Sequence, residues 1–499
     1  MNLTIDWDKF INLFLYNPRD PILFGSSYFL FFFLTVLAAL YLFRNNHRLK
    51  VYSIIFFSVF FYYKAAGWFV FLLLGVAIVN FIFGRIIHEA LKTRSKNFLL
   101  IVAIILNLAS LVYFKYSNFF IQIVNDISSS SITPLNIVLP IGISFFTFRA
   151  LSYVIEIYYE FITPMKRFEE FLMFIFFFPT VLMGPIDRAS TFLPQIENGF
   201  KFKKETLGIA VFLLSTGLIK KFVVADYINL NFTSRVFEFP NRFTGTENLL
   251  AVYSNALQSY CDFSGYTDMA LGIGLLLGFQ LTENFRRPFK ANSVADYWRR
   301  WHLSLSNWLL DFVFKPINVR FRRLRKTGLF IAITVTFFCV GLWHGPNWTF
   351  VLFGLLHSFY LIVSMLTQSS RDKIYKKMGI KKNRLFRFVQ IVFTFHLLIF
   401  TALLFKANSV GDAYKILNQI FTFFKPEVFP QFIEAYPTIF GLILFGYIIH
   451  FLPDSWEVKT KELMSKQSTL TLSLILTIVI WLVVQVKSAG MQPFIYFKF

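Results

Sequence analysis

Long apolar stretches alternate with short polar ones along almost the whole chain, at the length of roughly 20 residues that suits helices crossing a bilayer. Five lie near 22–43, 51–64, 67–84, 98–118 and 137–160. Six more lie near 250–280, 328–345, 348–366, 387–405, 436–452 and 468–487. With the less regular middle of the chain, the pattern predicts an all-α polytopic membrane protein of about eleven to thirteen spans, with re-entrant or interfacial helices around a central tunnel. The longest polar stretch, 284–327, is too short for a separate soluble domain. One integral domain over 1–499 is expected, with 1–136 as N-terminal spans and 387–499 as C-terminal spans.

The middle departs from the simple alternation. Segment 171–186 is apolar yet contains Pro179, Gly184 and Pro185, and the apolar run 207–228 carries Lys220 and Lys221 in its interior. Broken helices survive at membrane depth only where protein or water satisfies the freed backbone groups, so a cavity is expected here.

Composition agrees with this picture: 56% of the 499 residues are hydrophobic, 20% aromatic and only 15% charged. The net charge of +22 could suggest nucleic acid, but the Lys and Arg residues cluster in short loops between the apolar runs. That is the pattern of cytoplasmic loops, and over the first five spans it alternates without conflict and puts the N-terminus outside. Multi-pass placement in a membrane is expected, with the lipid bilayer as a partner and no nucleic acid. The polar start MNLTIDWDKF lacks a basic segment, so no cleaved signal peptide is expected. Cys261 and Cys339 read as packing residues rather than a disulfide framework.

Against this apolar background two histidines stand out, because an ionisable ring near a bilayer costs free energy unless it has a partner or a wet cavity. His302 lies in WRRWHLSLSNW, 298–308. Ser293 with Asp296 marks a helix start and Pro316 a stop, so a continuous helix is expected between them, with Trp298, Trp301, Leu305 and Trp308 on one face and His302 at its border. The same residues also describe an interfacial helix with an aromatic anchor and a basic edge of Arg299 and Arg300. His344 lies in GLWHGPNW, 341–348, where Gly345 and Pro346 break one helix and Asn347 caps the next. The imidazole is therefore expected in a last helical turn, opening toward the outer side. Asp262, Ser264, Tyr266, Asp268 and Asn284 are polar groups in or beside apolar segments. They either line a tunnel or serve as caps and buried hydrogen-bond partners. His47 and His88 belong to basic loops, His450 ends an apolar run, and His396 and His357 lie within spans. His357 is the strongest of these five, since it follows His344 on the next helix.

Several ordered motifs between about 139 and 358 give the chain a family likeness. They are LPIGISFFTFRALSYVIEIY (139–158), FPTVLMGPIDR (178–188), GLIKKFVVAD (217–226), YCDFSGYTD (260–268), ENFRRP (283–288), the Trp-x-x-Trp-His-x-Ser element with Trp308, and Trp343-His344-Gly345. In this the chain resembles the membrane-bound O-acyltransferases, in particular the bacterial branch that acetylates alginate-like polysaccharides or passes D-alanine to teichoic acids. Three features depart from the branch: Pro316 is followed by Ile317, Asn318 and Val319 where Pro-Leu-Gly-Gly is common, Arg286 and Arg287 form an unusually basic pair, and Cys261 stands at the edge of the acidic turn.

The resemblance implies His344 as the general base and His302 as a second polar group of a reaction chamber, with Trp301, Ser304, Trp308 and Trp343 among its lining. It further implies an acyl thioester donor, acetyl-coenzyme A or an acyl carrier, arriving from the cytoplasm, a polysaccharide acceptor outside, and a periplasmic or extracellular hydrolase-like partner. No permanently bound cofactor and no metal are expected. No GxSxG elbow occurs, which favours transfer without a serine acyl-enzyme. D-alanyl transfer from a carrier protein is the alternative within the family, and a proton-relay transporter is the alternative of another class.

Overall fold

The computed structural model describes residues 7–18, 21–380 and 383–486. The start of the polar N-terminal segment and residues 487–499 of the expected C-terminal spans lie outside the described residues. Helices carry the fold, and the β pairing seen among the described residues is one isolated bridge, Phe285 with Trp301. The contacts gather into two compact units, Met1–Ala210 with Met269–Thr282, and Val211–Asp268 with Glu283–Phe499.

Seven helical segments among the described residues are long and apolar enough to cross a membrane. The pair Val428–Ala435 and Pro437–Phe451, bent by 98°, makes an eighth if it is one span. The expected count is higher for a reason of length. His47–Glu89 passes as one segment, although Gly67, at φ +62°, divides it into the two helices His47–Ala66 and Val70–Glu89. Ser27–Leu42 and Ile143–Tyr158 have 16 residues each, about 24 Å at 1.5 Å per residue and short of a hydrocarbon core about 30 Å thick. The segments remain apolar where protein does not cover them. Phe31, Phe393 and Leu470 are 69%, 70% and 71% exposed, as lipid-facing side chains are.

In the first unit, the break expected at 171–186 is present. Phe168–Phe176 ends, Phe177 turns the chain, and Phe178–Val181 forms a single turn with Pro179 near its start, where a missing N–H is harmless. Burial drives this corner: Phe178 packs on Phe29, Phe32, Phe33 and Phe61 at centroid distances of 5.5–6.4 Å. The loop that follows is tied back by charge. Buried Arg149 donates to the Phe174 carbonyl (2.9 Å) and lies 3.6 Å from buried Asp187, whose carboxylate accepts from the Thr282 amide at 2.8 Å.

In the second unit, the two interior lysines are explained by their partners. Lys220 Nζ meets Asp268 at 2.7 Å, and Lys221 Nζ meets Asp262 at 2.5 Å and Asp226 at 2.9 Å. Helix Gly245–Leu277 presents both aspartates, and the lysines come from a wide π-helical stretch, Ile219–Asp226. The approach is close at Gly265, where a Cβ would stand 2.8 Å from the Gly217 carbonyl oxygen and 2.9 Å from the Lys221 nitrogen. A second close pairing joins Lys326–His344 to Trp348–Lys377. There, added Cβ atoms at Gly341 and Gly354 would meet the carbonyl oxygens of Phe350 and Phe337 at 2.4 and 2.2 Å, the small-residue contact that lets membrane helices touch.

Candidate functional site

Both singled-out histidines belong to the second unit, and they reach their positions differently. Lys326–His344 runs as one helix to its last residue, His344. Gly345 is then extended, and the Asn347 side chain accepts from the Thr349 amide (2.9 Å) to start Trp348–Lys377. The expected turn chemistry is realised here.

The continuous helix expected from Ser293 to Pro316 does not form. Ser293 caps as expected, accepting from the Asp296 amide at 3.1 Å, but the helix lasts only from Val294 to Trp298. The chain reopens through Arg299–Trp301, and a new helix, Leu303–Leu309, begins after His302, whose φ of 46° and ψ of 55° are left-handed. Pro316 does not stop a helix either, since it occupies the first turn of Lys315–Arg320. The cause is a pairing with the preceding segment. The Arg286 amide donates to the Arg300 carbonyl (2.9 Å) and the Leu303 amide to the Asn284 carbonyl (3.0 Å), while the Asn284 side chain accepts from the Ser304 amide (3.0 Å). Asn284 thus works as an external cap for the helix that carries Ser304 and Trp308. The aromatics consequently do not share one helical face. Trp301 stacks on Tyr297 (5.6 Å) and meets Phe285 edge-on, Trp308 meets Phe312, and the Trp298 indole donates to His357 Nδ1 at 3.2 Å.

Trp343 joins the two histidines. Its ring lies 5.1 Å from that of His302 and 5.1 Å from that of His344. His302 is 0% exposed, meets Phe263 edge-on at 4.7 Å, and neither of its ring nitrogens has a hydrogen-bond partner among the described residues. Burial pushes its pKa down to about 3, so the ring is neutral. A buried polar group left unsatisfied costs about 1–3 kcal/mol, which marks it for a use beyond packing. His344 is 1% exposed, which corrects the expected opening to the outer side. Phe350, Phe353 and Phe405 enclose it, the last edge-on at 4.9 Å. Those phenylalanines come from the next two helices, in runs whose pattern alone reads as lipid-facing.

A cavity of about 40 Å³ lies beside this cluster, lined by Phe263, Trp301, Phe353 and Phe405, with Ser259 as a polar member. At about 10–15 Å³ per water it holds a few waters, so an acyl chain must displace side chains to enter. Of the other expected residues, Ser264, Tyr266, Ser304 and Trp308 are buried. Asp262 and Asp268 carry the lysine ion pairs already described, which places them as charge partners. Asp262 is nonetheless the neighbour of Phe263, so its ion pair anchors the ring that packs on His302. Among the described residues no three of His, Cys, Asp and Glu gather as metal ligands.

One histidine gains a role that its sequence setting did not suggest. His450 Nε2 accepts from the Phe289 amide at 3.1 Å and its ring meets Tyr260 at 4.7 Å. It thereby holds the segment after ENFRRP from a position 161 residues away, a separation that no local pattern bridges.

An all-helical membrane scaffold with two histidines on one tryptophan, in this motif order, defines a class: the chain belongs to the membrane-bound O-acyltransferase family, whose sequence profile matches residues 157–405. It is 30% identical over 504 residues to the probable alginate O-acetylase AlgI of Pseudomonas putida, covering 95% of this chain and 100% of that protein. It is 29% identical over 430 residues to a peptidoglycan O-acetyltransferase of Helicobacter pylori (80% of this chain, 79% of that protein). A teichoic acid D-alanyltransferase of Bacillus subtilis is 29% identical over 284 residues (55% and 70%). The protein is a multi-pass membrane O-acyltransferase.

Proposed function

We propose that the protein transfers an acetyl group from acetyl-coenzyme A, across the cytoplasmic membrane, to hydroxyls of an extracellular or periplasmic polysaccharide, through a secreted hydrolase-like partner. His344 is the general base. It takes the proton of the acceptor hydroxyl, whose oxygen attacks the thioester carbonyl; the carbon–sulfur bond breaks, the imidazolium passes its proton to the departing sulfur, and the coenzyme leaves as a thiol. A ring at the end of a helix is suited to this task, because the last carbonyls favour the protonated form as it develops. His302, neutral and with open ring nitrogens, donates to the carbonyl oxygen as it gains charge. Asn284, Ser304, Trp301 and Trp343 hold these two rings in place, and Ser264, Tyr266 and Trp308 complete the wall of the chamber.

The observation that carries this reading is the packing of the His302 ring on Trp343, the residue next to His344, which brings together two histidines 42 residues apart in sequence. The acetylating names of the Pseudomonas and Helicobacter relatives support the acetyl group and a glycan acceptor. The Bacillus relative supports a second reading, D-alanyl transfer from a carrier protein, over a smaller share of this chain. Purified protein given acetyl-coenzyme A or a D-alanyl carrier thioester, with glycan acceptor and partner, separates the two by which thiol is released. His344→Ala is expected to lower release by about two to four orders of magnitude with expression intact. Undiminished release in that variant would sink the assignment.

A further inference from the structure

The first unit contains a basic recess that has no part in the roles proposed for the two histidines. Arg44, Asn45, His47, Lys50, Glu197, Asn198, Gly199 and Lys201 line a cavity of about 480 Å³, within the size range of small-ligand sites. Its lining has three permanent cations and one carboxylate. Lys50 is the unusual member. It is only 7% exposed, its ammonium donates to the Phe200 carbonyl at 2.8 Å and lies 4.6 Å from the Phe200 ring, and the charged neighbour acting on it is Lys201, which repels it.

A lysine that merely marks a cytoplasmic loop stays solvated. A buried ammonium with a neutral partner and a like charge beside it is poorly compensated, and an anion in the recess repairs that deficit. The walls fit a compact anion. The His47 ring faces Gly199, whose positive φ of 77° turns the chain at the rim, and packs on Phe200 at 5.8 Å. Helix His47–Ala66 also begins here, capped by the Asn46 side chain, and the positive end of its dipole adds to the field.

We propose that this recess binds a phosphate group, with Lys50 as its buried contact and Arg44 and Lys201 as its outer clamp. Two sources carry that chemistry at a membrane surface, an anionic phospholipid headgroup and the phosphates of a soluble donor such as coenzyme A. The site stands whether or not the acyl-transfer reading holds.

Full-length protein in a neutral detergent is titrated with short-chain phosphatidylglycerol, with the phosphate-free diacylglycerol of the same chains, and with free coenzyme A, and bound ligand is counted by native mass spectrometry. Arg44→Gln with Lys201→Gln is expected to weaken phosphate-ligand binding about tenfold, and the exposed control pair Lys92→Gln with Arg94→Gln less than about twofold. Lys50→Met should reproduce the loss, and the exposed double variant keeps the test valid if Lys50→Met does not fold. Preference for phosphatidylglycerol over diacylglycerol, lost in the pocket variants, identifies a lipid headgroup. The same loss confined to coenzyme A identifies the soluble source. Binding unchanged in the pocket variants, or reduced equally in the control pair, overturns the site.

Discussion

His344 and His302 both lie in tryptophan-bearing stretches and both rings are buried, yet the two stretches are built on opposite principles. His344 closes an uninterrupted 19-residue helix whose stop and restart are made by its neighbours Gly345 and Asn347. His302 sits at a left-handed break between two short helices, and what holds that break open is Asn284, 18 residues upstream. One histidine is placed by local turn chemistry and the other by pairing with a distant strand-like segment. The contrast fits the division of labour proposed for the two rings, in which the one on a stiff helix end transfers the proton and the one on a clamped turn orients the carbonyl.

The largest test of this division is kinetic. If the two rings act as a unit, His302→Ala lowers acyl transfer by about two to three orders of magnitude. The double variant His302→Ala with His344→Ala is then no worse than His344→Ala alone. Effects that multiply in the double variant would show independent roles. Stability separates the regions next. Asn284→Ala leaves the buried Ser304 amide without its acceptor and should cost about 1–3 kcal/mol, with hydrogen exchange rising at Leu303–Leu309 while Lys326–His344 stays protected. Gly341→Ala should do the reverse, since its Cβ would meet the Phe350 carbonyl oxygen at 2.4 Å and force the helix pair apart, at a cost of about 1–3 kcal/mol in thermal unfolding. Asn347→Ala removes a cap and should cost about 1 kcal/mol, confined to the start of Trp348–Lys377.

The smallest effect is acid sensitivity. The segment after Asn284 is latched by Arg287 and Lys290 to Asp454 and Glu457. The hydrogen bond from Lys290 holds the Asp454 carboxyl below its usual range, against a smaller opposing effect of burial. A lowered folded-state value means the latch contributes above the unfolded value of about 3.9 and is lost as pH falls through the folded one. Hydrogen exchange should therefore loosen around 284–304 at acid pH below about 4, and Asp454→Asn should reduce that dependence, with Glu457 supplying the remainder. Because Asp454 is 72% exposed at its side chain, solvent screening keeps the effect modest.

Several elements were legible before any coordinates. Gly345-Pro346-Asn347 announced the helix break, Pro179 with Gly184 announced the irregular corner, and Ser293 with Asp296 announced a helix start, because each signal acts within a few residues of itself. The end of that last helix is not legible for the same reason: its periodic tryptophans fit a helix locally, and the competing backbone partners lie on 284–286. The role of His450 and the aromatic enclosure of His344 by Phe353 and Phe405 had no local signal at all.

The sequence by itself determined that this chain lives in a bilayer, which family it belongs to and which two rings are its candidate site, because hydropathy and short motifs are properties of neighbours along the chain. The tertiary structure alone decided that Lys220 and Lys221 are neutralised by Asp268 and Asp262, that His302 turns left-handed, and that the His302 ring meets Trp343 beside His344. Those outcomes depend on which distant groups satisfy each buried charge and backbone amide, and that choice is made only when the helices pack.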